Sequence, residues 1–121
     1  MLLLLLSLFV AGDPDKAGDK YVEGSALLQA MKYEEAIAAF DAALAHEPAE
    51  RSELLFRDKD NRRQEIAYYP NYEIARARLL QAGQERTSDA KRKLMLDALS
   101  RLGQTKHPKR GDSQSALQTA L

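Results

Sequence analysis

The stretch 24–48 constrains the fold more than any other part of the chain. Within it Gly24, Ala36, Phe40, Ala43 and Pro48 follow one another at separations of 12, 4, 3 and 5 residues. Steps of three and four put Ala36, Phe40 and Ala43 on one side of a helix. The two alanines are small enough to let a second helix come close, and Phe40 supplies bulk between them. Pro48 has no amide to donate and ends the run. Ahead of it, a helix predicted over 20–31 carries Val22, Ala26, Leu27, Ala30 and Met31 on one stripe. The turn falls at Met31 and Lys32, and a second helix starts near Tyr33, burying Ala36, Ile37, Phe40, Ala43 and Leu44. Glu34 and Glu35 lie in its first turn, where the helix dipole favours acids. The stretch therefore predicts an antiparallel helical hairpin built to stack.

A second, less regular pair follows. Pro70 suits the first position of a helix, and 72–80 carries Tyr72, Ile74, Ala75, Ala77, Leu79 and Leu80 toward Gly83, a natural helix end. Ser88 and Asp89 cap a helix predicted over 90–102, with Leu94, Met95, Ala98, Leu99 and Leu102 on its apolar side. Between the pairs, 51–67 reads as an insertion: a short turn through Leu54, Leu55 and Phe56, then the polar run 57–63. Asp58, Asp60 and Asn61 lack the sharp-turn glycine and closing glutamate of a calcium loop, so this run is read as a solvated turn.

Residues 17–50 resemble one tetratricopeptide repeat, a helix-turn-helix unit of about 34 residues. Gly24, Tyr33, Ala36, Phe40, Ala43 and Pro48 match in register and are assigned to repeat packing. The departures lie in the first helix, where Lys20, Glu23 and Leu27 occupy the usual Trp, Leu and Tyr positions. The second pair, about 68–102, is a degenerate repeat. The resemblance implies an all-α fold, antiparallel helical hairpins stacked as a short α-solenoid over 20–103. It also implies a concave face, lined by the first helix of each pair, that receives a peptide or an extended segment of another protein. On this sequence that partner-binding face would present Tyr21, Ser25, Gln29, Tyr72 and Arg76. A single hairpin leaves its apolar stripe exposed, and arrays usually need three or more units. Self-association, as a structural subunit or a piece of a larger helical assembly, is the alternative.

The ends read differently. Residues 1–10 are almost wholly apolar, and with Ala11 and Gly12 they suit a signal peptide over 1–12, although no basic residue precedes the leucines. A packed helix and an uncleaved anchor are the alternatives. The run is too short for a stable membrane span, which needs about 20 residues. Export to a periplasmic or secreted setting follows from the signal reading, and a cytoplasmic or membrane-associated setting from the others. Residues 13–19, with Pro14, Gly18 and three Asp, read as a linker, and 104–121 as a flexible basic tail or the start of a further helix.

Charge and chemistry narrow the function. Lys plus Arg equals Asp plus Glu at 18 each. Residues 13–60 hold 12 acids and 6 bases, net −6, whereas 61–121 hold 6 acids and 12 bases, net +6. That asymmetry fits solvated helix faces, head-to-tail contact between copies, or an acidic partner for the C-terminal half. The basic cluster Lys106, Lys109 and Arg110 lacks aromatic residues, so nucleic acid is not an expected partner. There is no cysteine, hence no disulfide, thiol nucleophile or cysteine-held zinc. His46 and His107 lie about 60 residues apart and are read as exposed, and no nucleophile elbow or phosphate loop is present. The expectation is a non-enzyme with no cofactor, metal or small-molecule substrate.

Overall fold

The computed structural model describes residues 12–121. The signal-peptide reading falls, over 1–11, outside the described residues. Among the described residues no helix is long and apolar enough to cross a membrane.

The first helix, α1 (Pro14–Gln29), begins well before Lys20. The expected linker is therefore its opening turns, and the reason is local. Asp13 is the N-cap, accepting a bond from the Lys16 amide at 3.1 Å, and Pro14 occupies the first turn, where a missing amide costs nothing. Gly18 is no breaker either: a Cβ there would lie 2.3 Å from the Phe56 ring, so glycine makes room for a neighbour. At the other end Lys32 N donates to Leu27 O at 2.9 Å and Met31 N to Leu28 O at 3.0 Å. These paired bonds close a Schellman turn with Met31 in the left-handed region, φ 60°. The chain then reverses into α2 (Tyr33–His46).

The insertion is where the all-α expectation fails. It forms an antiparallel hairpin of β1 (Arg51–Arg57) and β2 (Arg63–Tyr68), pairing Leu54 with Ile66 and Phe56 with Gln64. The molecule is thus mixed α/β, five helices and a two-stranded sheet among the described residues, and not a purely helical solenoid. Residues alternate across a strand, so Leu54 and Phe56 turn inward while Leu55 between them is 68% exposed. The polar run makes the turn: Asp58 accepts from the amides of Asp60 and Arg62 at 2.9 Å each, and Asn61 adopts φ 62°.

Three helices follow: α3 (Pro70–Gln84), α4 (Ser88–Gln104) and α5 (Arg110–Ala120). Part of the expected tail is thus helical, and Leu117 of α5 is buried. The elements touch largely in chain order, the hairpin on α1, α1 on α2, α2 on α3, α3 on α4 and α4 on α5. Phe40, Ala36 and Ile37 of α2 pack with Leu28 of α1 and Ile74 and Ala77 of α3. Ala43 turns instead toward the hairpin, with Ala17, Leu54 and Tyr68. Ala75, Ala98, Leu102 and Leu117 form a separate cluster holding α3, α4 and α5 together.

Polar contacts tie these layers. Glu50 is buried, and its carboxylate accepts from Asn71 N at the start of α3 and from Thr105 Oγ1 and Lys106 N after α4, each at 2.7 Å. Arg78 of α3 reaches Glu34 at 2.6 Å and Asp97 at 2.7 Å, and Arg101 of α4 reaches Asp41 at 3.0 Å. The acids of the first half and the bases of the second therefore meet partly inside one molecule.

Candidate partner-binding site

Tyr21, Ser25 and Gln29 recur every four residues along α1 and so share one face of it. Arg76 of α3 comes to the same place, with Glu73 and Leu80 one turn to either side of it. Together with Leu28 these residues line a groove of about 350 Å³. Helical spacing around Arg76 was the signal that would have added Glu73 and Leu80.

The groove is built partly from structural groups. The Tyr21 ring packs edge-on against Phe40, centroids 5.3 Å apart, and tilted against Tyr68 at 5.5 Å. Burial, with the Glu73 carboxylate nearby, raises its phenol well above the usual tyrosine range, so it stays a neutral hydroxyl. Ser25 Oγ donates to the Tyr21 carbonyl at 3.0 Å, a bond within its own helix. Arg76 Nη1 spans both carboxylate oxygens of Glu73, at 3.1 and 2.8 Å. The lining thus offers a balanced ion pair, the Gln29 side chain, a phenol and two leucines, a mixture suited to peptide groups more than to a net charge.

Tyr72 lies elsewhere. Its ring stacks on His107 at 3.7 Å with the planes 9° apart, and Tyr69 meets the same imidazole edge-on at 4.8 Å. His107 is accordingly half-buried and not the exposed tail residue of the sequence reading. Lys109 N donates to its Nδ1 at 3.0 Å, a bond only the neutral ring can accept. Burial lowers its pKa; Lys109 and Arg76 add to the lowering, and Glu73 and Glu50 oppose it.

The residues assigned to repeat packing sit at the α1/α2 contact or beside it. A Cβ on Gly24 would approach the Phe40 ring to 2.8 Å, and Ala36, Phe40 and Ala43 are fully buried. Tyr33 is half-buried against the same cluster, and Pro48 is exposed just past the end of α2.

A second groove, about 670 Å³, runs between α1 and the hairpin. Val22, Ala26, Leu27, Phe56 and Ile66 line it, and no residue of it was a candidate because the hairpin was not foreseen. Among the described residues no cluster of three or more His, Asp or Glu side chains is placed to hold a metal.

No family model, curated protein or solved structure matches this chain. Its function rests on its own geometry.

Proposed function

We propose that the chain is a non-catalytic protein-interaction module whose α1/α3 groove takes a peptide or an extended segment of another protein. The observation that carries the reading is the convergence of Tyr21, Ser25 and Gln29 with Arg76 on one groove. A volume of about 350 Å³ is at the small end of ligand sites, which run from about 300 to 1,000 Å³. It has room for an anchoring side chain and the main chain beside it. Leu28 and Leu80 would take an apolar anchor, while Gln29 would pair with main-chain amides. Arg76, about half exposed, is free to turn from Glu73 toward a partner carbonyl or carboxylate. The tetratricopeptide-like packing of Gly24 under Phe40 supports the same reading by resemblance, since such hairpins present peptides on this side.

Peptide display against the full chain, followed by calorimetry on the selected sequences, tests it. Binding should weaken at least tenfold in Arg76→Glu and in Gln29→Trp, whose indole fills the groove. Equal affinity for the parent and both variants would move the site off this face.

A further inference from the structure

We infer that the groove between α1 and the hairpin receives the exposed face of α4 from a second copy of this chain, so that molecules associate head to tail. The groove is apolar at its base and acidic at its edge. Val22 is 49% exposed there, beside Phe56 and Ile66. Asp19, Glu23, Asp58 and Asp60 line its edge; Lys59 is the one base in the lining, and Lys20 beside it pairs with Glu23 at 3.2 Å, which leaves the edge net acidic. The Asp58 carboxyl is held below the usual range by bonds from the Arg62 amide, the Gln64 side chain and the Asp60 amide, so it remains charged.

The complementary surface lies on α4. Lys91, Arg92 and Lys93 are exposed and form no ion pair among the described residues, whereas Arg78 and Arg101 are engaged. One turn on, Leu96 projects to solvent, 46% exposed. Arg92, Lys93 and Leu96 fall at positions i, i+1 and i+4, which gives one apolar knob flanked by two cations. The apolar base and acidic edge of the groove complement it in polarity and charge. Within the molecule the same pairing already operates, acids of α2 against bases of α3 and α4 at Glu34–Arg78 and Asp41–Arg101.

Placement makes the contact directional. Hairpin and α1 begin the succession of packed elements, and α4 and α5 end it. A contact between two different patches is heterologous, so each copy keeps one free groove and one free α4 face, and growth runs to a ring or an open chain. The acidic edge brings sensitivity to salt, because exposed charges are screened beyond about 10 Å at 0.1 M ionic strength.

Sedimentation velocity on the full chain decides the matter. The parent should associate at about 0.02 M salt and at least tenfold less tightly at about 1 M, where screening acts within about 3 Å. Val22→Lys closes the groove and Leu96→Glu spoils the α4 face. Both sites are surface positions, and circular dichroism checks that each variant folds. Alone, each should sediment as a monomer. Mixed in equal amounts they should form a dimer that grows no further, since one intact groove meets one intact α4 face. A parent that is monomeric at low salt, a Val22→Lys protein that still self-associates, or a mixture that stays monomeric overturns the inference. Neither substitution touches the α1/α3 groove, so peptide binding by these variants reports separately on the proposed function.

Discussion

The α1/α2 layer and the α4/α5 layer are both helical, yet they are held in different ways. In the first, Ala36, Phe40 and Ala43 are completely buried, and α1 lies so close that a Cβ at Gly24 would come within 2.8 Å of the Phe40 ring. In the second the fully buried groups are smaller and fewer. Ala98, Leu102 and Leu117 are covered, while Met95, Leu99 and the Tyr72 of α3 that packs on them are only partly so. Polar contacts make up the difference: the Glu50 carboxylate, the Arg78 and Arg101 bridges and the Tyr72–His107 stack. The α1/α2 layer rests on close apolar packing, the α4/α5 layer on a smaller apolar cluster supplemented by a few long-range hydrogen bonds and charges.

The largest effects should come from breaking each layer at its centre. Phe40→Ala empties the α1/α2/α3 core and should cost about 3–5 kcal/mol, read from urea unfolding of the whole chain. Glu50→Ala leaves Asn71 N, Thr105 Oγ1 and Lys106 N without their acceptor. Unpaired buried groups cost about 1–3 kcal/mol each, reduced here by water at the half-covered Lys106 amide, so about 3 kcal/mol is expected in the same assay. Gly18→Ala is the next in size. Its new methyl group meets the Phe56 ring and should push the hairpin off α1, costing about 1–3 kcal/mol and shifting the amide resonances of β1 and β2. Met31→Gly should act in the opposite sense. Met31 is 67% exposed and has a left-handed backbone, so glycine relieves strain at little loss of packing and should raise stability by about 1 kcal/mol.

The smallest effect concerns pH and belongs to the α4/α5 side alone. The folded pKa of His107 lies below its unfolded value of about 6.5, so the unfolded chain takes up the proton first as pH falls. Its contribution is complete above about 6.5 and is lost as pH falls through the folded pKa. His107→Phe keeps a stacking ring without the titration. The difference in urea midpoint between parent and variant should therefore change between about pH 7.5 and about pH 5.5, on either side of the free histidine value. A constant difference would mean that the stack does not sense the proton.

The same contrast explains what the sequence made legible. Periodicity of 3.6 located the α1/α2 turn, the buried face of α2 and the α3/α4 pair, because apolar packing imprints itself on local spacing. The repeat resemblance, rather than periodicity, named Tyr21, Ser25, Gln29 and Arg76, which line one groove, together with Tyr72, which lies outside it. The hairpin was missed because Leu54–Leu55–Phe56 and Ile66–Ala67–Tyr68 are continuous apolar triplets, with no polar residue between them to mark one face of a strand. Each strand is too short for the pattern to outweigh the polar residues around it. Asp13 and Pro14 signalled a helix start that the nearby Gly18 masked, and the use of Gly18 depends on Phe56, far along the chain. Glu50 and His107 carry no local mark at all. Their partners lie 55 residues away or more for Thr105 and Lys106, and 35 and 38 for Tyr72 and Tyr69.

Hydrogen exchange on Glu50→Ala tests the division between the layers most directly. With the carboxylate gone, amides of α4 and α5 should lose protection first, while those of α1 and α2 keep nearly the protection of the parent. Equal loss across all five helices would contradict the account, since it would mean that the polar contacts and the apolar core form a single cooperative unit.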